Sequence, residues 1–225
     1  MQYMLDTINK KEISAAIACM PIVGVTSNPT IIKKEGKIDF YPYFRELREI
    51  IGSERSLHVQ VTAPDADGMM REAEAVLEKI DAKVFLKVPV NEAGLTAIRR
   101  MKKAGYKVTA TAISSKTQAF MAIEEGADYL AMYYNRMENM DIDPDEVFSA
   151  VADMIDLYGY ESQILGASFK NIGQVNRAFE DGAHAVTVAP SILFDALRLP
   201  AISKNVSAFA ADWTELFGDK SLADL

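Results

Sequence analysis

The sequence predicts an α/β fold, an eight-stranded parallel (β/α)8 barrel with an extra helix at its C-terminal end. Three observations predict it. Eight short apolar runs alternate with segments of 3.6-residue apolar period along the whole chain. No Gly-x-Gly-x-x-Gly follows a run, as an open dinucleotide-binding sheet would want. No linker, low-complexity tract or short-period repeat interrupts the 225 residues, so one domain over 1–225 is expected.

The strand-like runs are residues 3–5, 22–25, 57–61, 84–88, 107–110, 129–133, 164–167 and 185–188. Helical period shows in Met69, Ala73, Val76, Leu77 and Ile80, and again in Val147, Val151, Met154, Ile155 and Tyr158. Asn9 and Glu12 have the spacing of a capping box ahead of Ile13 and Ile17, and Asp143-Pro144-Asp145-Glu146 opens a helix with proline in its first turn. Gly105, Gly126, Gly159 and Gly182 each follow a helical stretch, where a left-handed residue closes the helix. After the eighth unit, ending near Leu197, a helix over 201–217 carries an apolar stripe: Ile202, Val206, Phe209, Trp213, Leu216 and Phe217. The barrel is already closed, so this helix covers its own barrel or a neighbour's.

Composition sets the class. Hydrophobic residues at 49% and charged residues at 25% describe a globule with a sizeable core. A net charge of −8 excludes sequence-independent nucleic-acid binding, which needs a basic face. The longest nearly apolar stretch, 13–25, is broken by Ser14, Pro21 and Gly24 and falls short of a membrane span, so no membrane partner is expected. Cys19, among alanines and isoleucines, reads as a small buried hydrophobe; two histidines leave little for a transition metal, and no metal or cofactor is expected. The N-terminal residues lack a basic segment followed by an apolar core, so a cytoplasmic protein is expected.

One residue breaks the pattern. Both faces of a parallel barrel strand are covered, so its strands should be apolar, yet Val84-Phe85-Leu86-Lys87-Val88 has a lysine in its middle. Alternation puts Phe85, Lys87 and Pro89 on one face; the aliphatic face of Val84, Leu86 and Val88 suits the helix layer, leaving Lys87 aimed into the barrel. Desolvation disfavours an ammonium and yields the neutral amine that attacks carbonyl carbon. The alternative is a structural lysine paired with an inward carboxylate such as Asp6.

Other polar residues collect at the C-terminal strand ends, where a barrel keeps its active face: Asp6, Thr7, Thr26, Asn28, Gln60, Thr111, Tyr133, Arg136, Ser168 and Lys170. Each has a structural alternative. Asp6 or Thr7 would cap a helix, Thr26 to Asn28 would form a turn, Tyr133 would pack with a satisfied hydroxyl, and Arg136 and Lys170 would be solvated. Ser168, Lys170 and Arg136, with the amides of a helix starting near Asn171, would also suit a phosphate.

The segments Leu5-Asp6-Thr7, Gly24-Val25-Thr26-Ser27-Asn28-Pro29-Thr30, Leu86-Lys87-Val88-Pro89 and Ala167-Ser168-Phe169-Lys170 together resemble the transaldolase family, especially its short fructose-6-phosphate aldolase branch. The resemblance covers nearly the whole chain. It implies a TIM barrel with Lys87 as Schiff-base lysine, Asp6, Thr26, Asn28 and Thr111 in the active site, and Arg136, Ser168 and Lys170 on phosphate. Transaldolases usually carry glutamate and phenylalanine where this chain has Gln60 and Tyr133, the pair associated with the aldolase branch. Met132 stands where aldolase relatives often have proline, and Ser27 where threonine is common. The resemblance further implies a homo-oligomer of five-membered rings, stacked as decamers, with exchanged C-terminal helices. The expected reaction is reversible cleavage of fructose 6-phosphate to dihydroxyacetone and glyceraldehyde 3-phosphate, with sugar phosphates and small ketoses or aldehydes as partners. A transaldolase passing dihydroxyacetone to erythrose 4-phosphate, and a non-catalytic sugar-phosphate sensor, are the alternatives.

Overall fold

A computed structural model describes residues 1–225. Its strands are β1 (Gln2–Asp6), β2 (Ile22–Thr26), β3 (Ser56–Gln60), β4 (Phe85–Pro89), β5 (Val108–Ile113), β6 (Tyr129–Tyr133), β7 (Gln163–Ala167) and β8 (Ala185–Val188). Each pairs in parallel with the next and β8 returns to β1, closing the barrel in chain order. The intervening helices are α1 (Lys10–Ile17), α2 (Pro29–Glu35), α3 (Phe40–Ile51), α4 (Ala66–Lys79), α5 (Glu92–Lys103), α6 (Lys116–Glu124), α7 (Tyr134–Glu138), α8 (Pro144–Tyr158), α9 (Ile172–Glu180) and α10 (Pro190–Leu197). An eighteen-residue α11 (Pro200–Phe217) follows, so this is a (β/α)8 TIM barrel with an added C-terminal helix. The chain divides into two compact units, Met1–Pro190 and Ser191–Leu225.

Local chemistry explains the element ends. Asp143 caps α8, its carboxylate accepting from the amides of Asp145 and Glu146, with Pro144 in the first turn. Gly105, Gly126, Gly159 and Gly182 all take positive φ where the sequence wants it. Gly94 meets a second demand: a Cβ there would lie 1.8 Å from the carbonyl oxygen of Pro89, so only glycine lets α5 start this close to β4.

Two expectations are corrected. Asn9 does accept from the Glu12 amide, but Glu12 does not reach back to close a capping box. Thr7 intervenes: its Oγ1 accepts from the Asn9 amide and donates to the Glu12 carboxylate, satisfying both groups at once. Cys19 is exposed rather than buried. Helix α1 stops at Ile17, and the turn that follows carries the thiol outward, where it donates to the Ala15 carbonyl at 3.4 Å. Strand boundaries move by a residue or two; β5 runs on to Ile113 because an irregularity between Ala110 and Ile113 absorbs an extra residue.

Which residues face inward follows from contacts between non-adjacent strands. Phe85 of β4 meets Tyr129 of β6 edge-on at 5.3 Å, and His58 of β3 stacks on Phe85 at 4.7 Å. The Tyr129 hydroxyl donates to Gln2 of β1. Met4, Ala131, Leu165 and Ala185 form an apolar cluster against which Tyr129 packs. These side chains fill the lower barrel; the layer above them, toward the C-terminal strand ends, is polar.

Candidate active site

Lys87 lies two residues beyond Phe85 on the same strand, so it shares the inward face. Its register partners are Gln60 on β3 and Thr109 on β5. The residue is 2% exposed, its side chain makes no hydrogen bond, and no carboxylate lies within salt-bridge distance. Asp6, the partner a structural lysine would have taken, is engaged elsewhere: its Oδ1 accepts from Thr26 Oγ1 at 2.8 Å. Burying a polar side chain without a polar partner carries a free-energy cost.

The remaining residues divide into three groups. Asp6 and Thr26 end β1 and β2 and are register partners. Thr26 also shares a 2.7 Å hydrogen bond with Thr187 of β8, so β8, β2 and β1 carry a continuous hydroxyl–hydroxyl–carboxylate chain. On the opposite wall, Tyr133 ends β6 and its hydroxyl lies 3.1 Å from Thr111 Oγ1 on β5. Thr111 sits beside Ala112, which takes φ 61°, a left-handed conformation that costs a non-glycine residue roughly 1 kcal/mol or more. Gln60, half-buried at the end of β3, borders a cavity of about 470 Å³ lined also by Pro29, Ile32, Phe40, Tyr41 and Thr62.

The third group lies on the loops after β6 and β7. The Asn135 amide donates to the Ser168 carbonyl at 3.3 Å, which ties the two loops together, and Ser168 is held at φ 66°. Arg136, exposed on α7, lays its guanidinium over the Tyr133 ring, 4.4 Å from the centroid. Lys170 is exposed just before Asn171, which caps α9 by accepting from the Gln174 amide. Neither Arg136 nor Lys170 forms an ion pair, and the side chains of Arg136, Ser168 and Lys170 make no hydrogen bonds to one another. Asn28 caps α2, its Oδ1 accepting from the Ile31 amide, which leaves the side-chain nitrogen uncommitted.

Sequence reasoning misses two buried polar groups inside the barrel, His58 and Thr187, and does not connect Thr109 of the fifth strand with either. His58 Nδ1 lies 2.8 Å from Thr109 Oγ1 and Nε2 lies 2.9 Å from Ser56 Oγ. Burial, then the positive charges of Lys87 and Arg48, push its pKa down to about 3, so the imidazole beneath the lysine is neutral. Ser56 approaches this ring only because Gly24 opposes it; a Cβ on Gly24 would lie 2.1 Å from Ser56 Oγ. The one available signal was a polar residue inside an apolar strand, as in Val186-Thr187-Val188. No cluster of three or more His, Cys, Asp or Glu side chains is arranged to hold a metal ion, and no helix is long and apolar enough to cross a membrane.

A closed parallel barrel with a buried lysine and polar side chains gathered at the C-terminal ends of its strands has the architecture of a barrel enzyme. Comparison with known proteins makes the assignment specific. Residues 3–220 match the family described as transaldolase/fructose-6-phosphate aldolase. A probable fructose-6-phosphate aldolase of Streptococcus pneumoniae (strain ATCC 700669 / Spain 23F-1) is 47% identical over 222 residues, covering 99% of this chain and 100% of its own. Probable transaldolases are 34% identical in Desulforamulus reducens, over 96% of this chain and 98% of theirs, and 32% identical in Exiguobacterium sp., over 95% and 97%. The chain belongs to the transaldolase/fructose-6-phosphate aldolase family.

Proposed function

We propose that the protein is a Schiff-base aldolase that reversibly cleaves fructose 6-phosphate to dihydroxyacetone and glyceraldehyde 3-phosphate, with Lys87 as nucleophile. The observation that carries this reading is the buried, unpaired Lys87 facing the barrel interior between Gln60 and Thr109. The amine adds to the C2 carbonyl and expels water, forming a protonated imine. The C3–C4 bond then breaks, its electron pair moving toward the imine nitrogen while the C4 hydroxyl loses its proton. Asp6, an acceptor-only carboxylate, and Asn28 hold the hydroxyls and assist this transfer. Glyceraldehyde 3-phosphate departs, its phosphate held by Arg136, Ser168 and Lys170.

The enamine left on Lys87 must gain a proton at C3 before water can release dihydroxyacetone. The Tyr133 hydroxyl, bonded to Thr111, supplies a relay for that proton, through a water held with Gln60. The 47% identity to a probable fructose-6-phosphate aldolase supports this branch. The second reading, transfer of the dihydroxyacetone unit to erythrose 4-phosphate, draws on the relatives named probable transaldolases. A sugar-phosphate sensor is disfavoured, because an unpaired buried amine costs stability without serving a binder.

Incubation with fructose 6-phosphate, with and without an acceptor aldehyde, separates the readings. Free dihydroxyacetone without acceptor is expected; product only when acceptor is present would assign the transaldolase. We further infer that α11 covers a neighbouring copy in a homo-oligomeric ring. The helix buries none of its own residues and exposes Phe209 at 70% and Leu216 at 75%.

A further inference from the structure

Thr187 stands in β8 between Val186 and Val188 and is only 1% exposed. Its side chain makes one hydrogen bond, to Thr26. Proton counting fixes the direction of that contact. Thr26 Oγ1 lies 2.8 Å from Asp6 Oδ1, and an ionised carboxylate only accepts, so the Thr26 proton goes to Asp6. A hydroxyl has a single proton. In the 2.7 Å contact between the two threonines, Thr187 is therefore the donor and Thr26 the acceptor.

We propose that Thr187 is a positioning residue for Asp6, acting through Thr26; the inference rests on the reading of Asp6 as the group that assists proton transfer at the reacting carbons. Donation from Thr187 polarises the Thr26 hydroxyl and strengthens its bond to the carboxylate, as successive hydrogen bonds do where water is excluded. It also locks Thr26 in one rotamer, so Oδ1 of Asp6 is always occupied and Oδ2 is the oxygen left for substrate. The relay crosses three strands, β8, β1 and β2, so the seam where the barrel closes sets the orientation of the carboxylate. The competing account is that two buried hydroxyls merely satisfy each other.

Thr187→Val removes the donor at nearly constant shape, and Thr187→Ser restores it with a smaller side chain. The expected result for Thr187→Val is a fall in kcat for fructose 6-phosphate cleavage of about 2- to 12-fold, the worth of one neutral hydrogen bond. KM stays unchanged, because Thr187 leaves the contacts that bind substrate in place. Thr187→Ser should recover the wild-type kcat. Borohydride trapping of dihydroxyacetone on Lys87 is run on all three proteins. Wild-type kcat in Thr187→Val, with the adduct formed, would overturn the inference alone. Equal losses in Val and Ser variants, tracking a lowered melting temperature, would reduce Thr187 to packing and overturn it too. Absence of the adduct on wild type would remove the Schiff-base reading and the inference with it.

Discussion

The inside of the barrel and the length of α11 break the rule of apolar-in, polar-out in opposite senses. The barrel buries Lys87, His58, Thr26, Thr109, Thr111 and Thr187, each at a cost unless a partner meets it. Helix α11 exposes Ile202, Val206, Phe209, Leu216 and Phe217, which forgoes burial worth about 1.5–3 kcal/mol for each side chain. The two departures differ in how they are resolved. Five of the six barrel groups have hydrogen-bond partners, and the Lys87 side chain stands apart, the group the proposed function uses as nucleophile. On α11 nothing is resolved: none of its residues is buried, and the partner proposed for it is a second copy of the chain. Changes at Lys87 and the polar layer around it should therefore act on rates, and changes on α11 on assembly.

The largest break in that contrast comes from Lys87→Met. Loss of the nucleophile should cut cleavage on the order of 10⁴-fold or more and abolish borohydride incorporation from dihydroxyacetone. The melting temperature should hold or rise, because a similar-length apolar side chain replaces an unpaired buried amine. Peptide mapping that found the adduct elsewhere on the wild type would defeat the assignment, and full activity in chelator is expected alongside. Truncation after Pro200 is the counterpart. It deletes the whole exposed stripe, so light scattering should report smaller species, while a folded truncation of unchanged size would refute the exchanged helix.

Tyr133→Phe sharpens the comparison within the barrel, since it removes one oxygen at nearly constant volume. Release of dihydroxyacetone should slow by about 10²–10⁴-fold, the range for a lost general acid, while transfer to erythrose 4-phosphate persists. Parallel loss of both rates would place Tyr133 at an earlier step. Neutralising Arg136 or Lys170 comes next. Charge-assisted contacts of about 1.5–3 kcal/mol predict roughly ten- to a hundredfold weaker use of phosphorylated acceptors, with little change for glyceraldehyde. Equal losses for both substrates would point to misfolding.

How much of this was legible depended on whether a residue stood out against its own strand. Lys87 did, because one charge among four apolar residues has few structural uses. The α11 stripe did, because its period is unmistakable over eighteen residues. Thr187 did not: threonine is a favoured strand residue, and only the register that sets Asp6 beside Thr26 reveals what its hydroxyl meets. His58 was hidden for a related reason, since Ser56 and Thr109 become its partners only once β3 and β5 both face inward. The left-handed Ala112 was illegible because alanine carries no mark of positive φ. For Asn9 and Glu12 the spacing was readable, but the competitor Thr7 was not.

The smallest effect is one of stability, and it belongs to His58. Its pKa falls from an ordinary 6.5 to about 3 in the folded protein, chiefly through burial and then through Lys87 and Arg48. Between those two values the unfolded chain holds a proton on this imidazole that the folded chain does not. Stability therefore rises with pH across that window, and falls as pH drops from about 6.5 toward 3, by up to ~1.4 kcal/mol per unit from this group. His58→Phe keeps a ring against Phe85 but strands the Ser56 and Thr109 hydroxyls, which costs about 1–3 kcal/mol at neutral pH. Phenylalanine does not titrate, so the variant should start less stable at pH 7 and lose less on acidification. Urea unfolding at pH 7, 6, 5 and 4 should show the two stability curves converging, because carboxylates common to both proteins cancel in the difference. Parallel curves would mean that the imidazole takes up its proton inside the folded barrel, and that the floor beneath Lys87 is not held neutral.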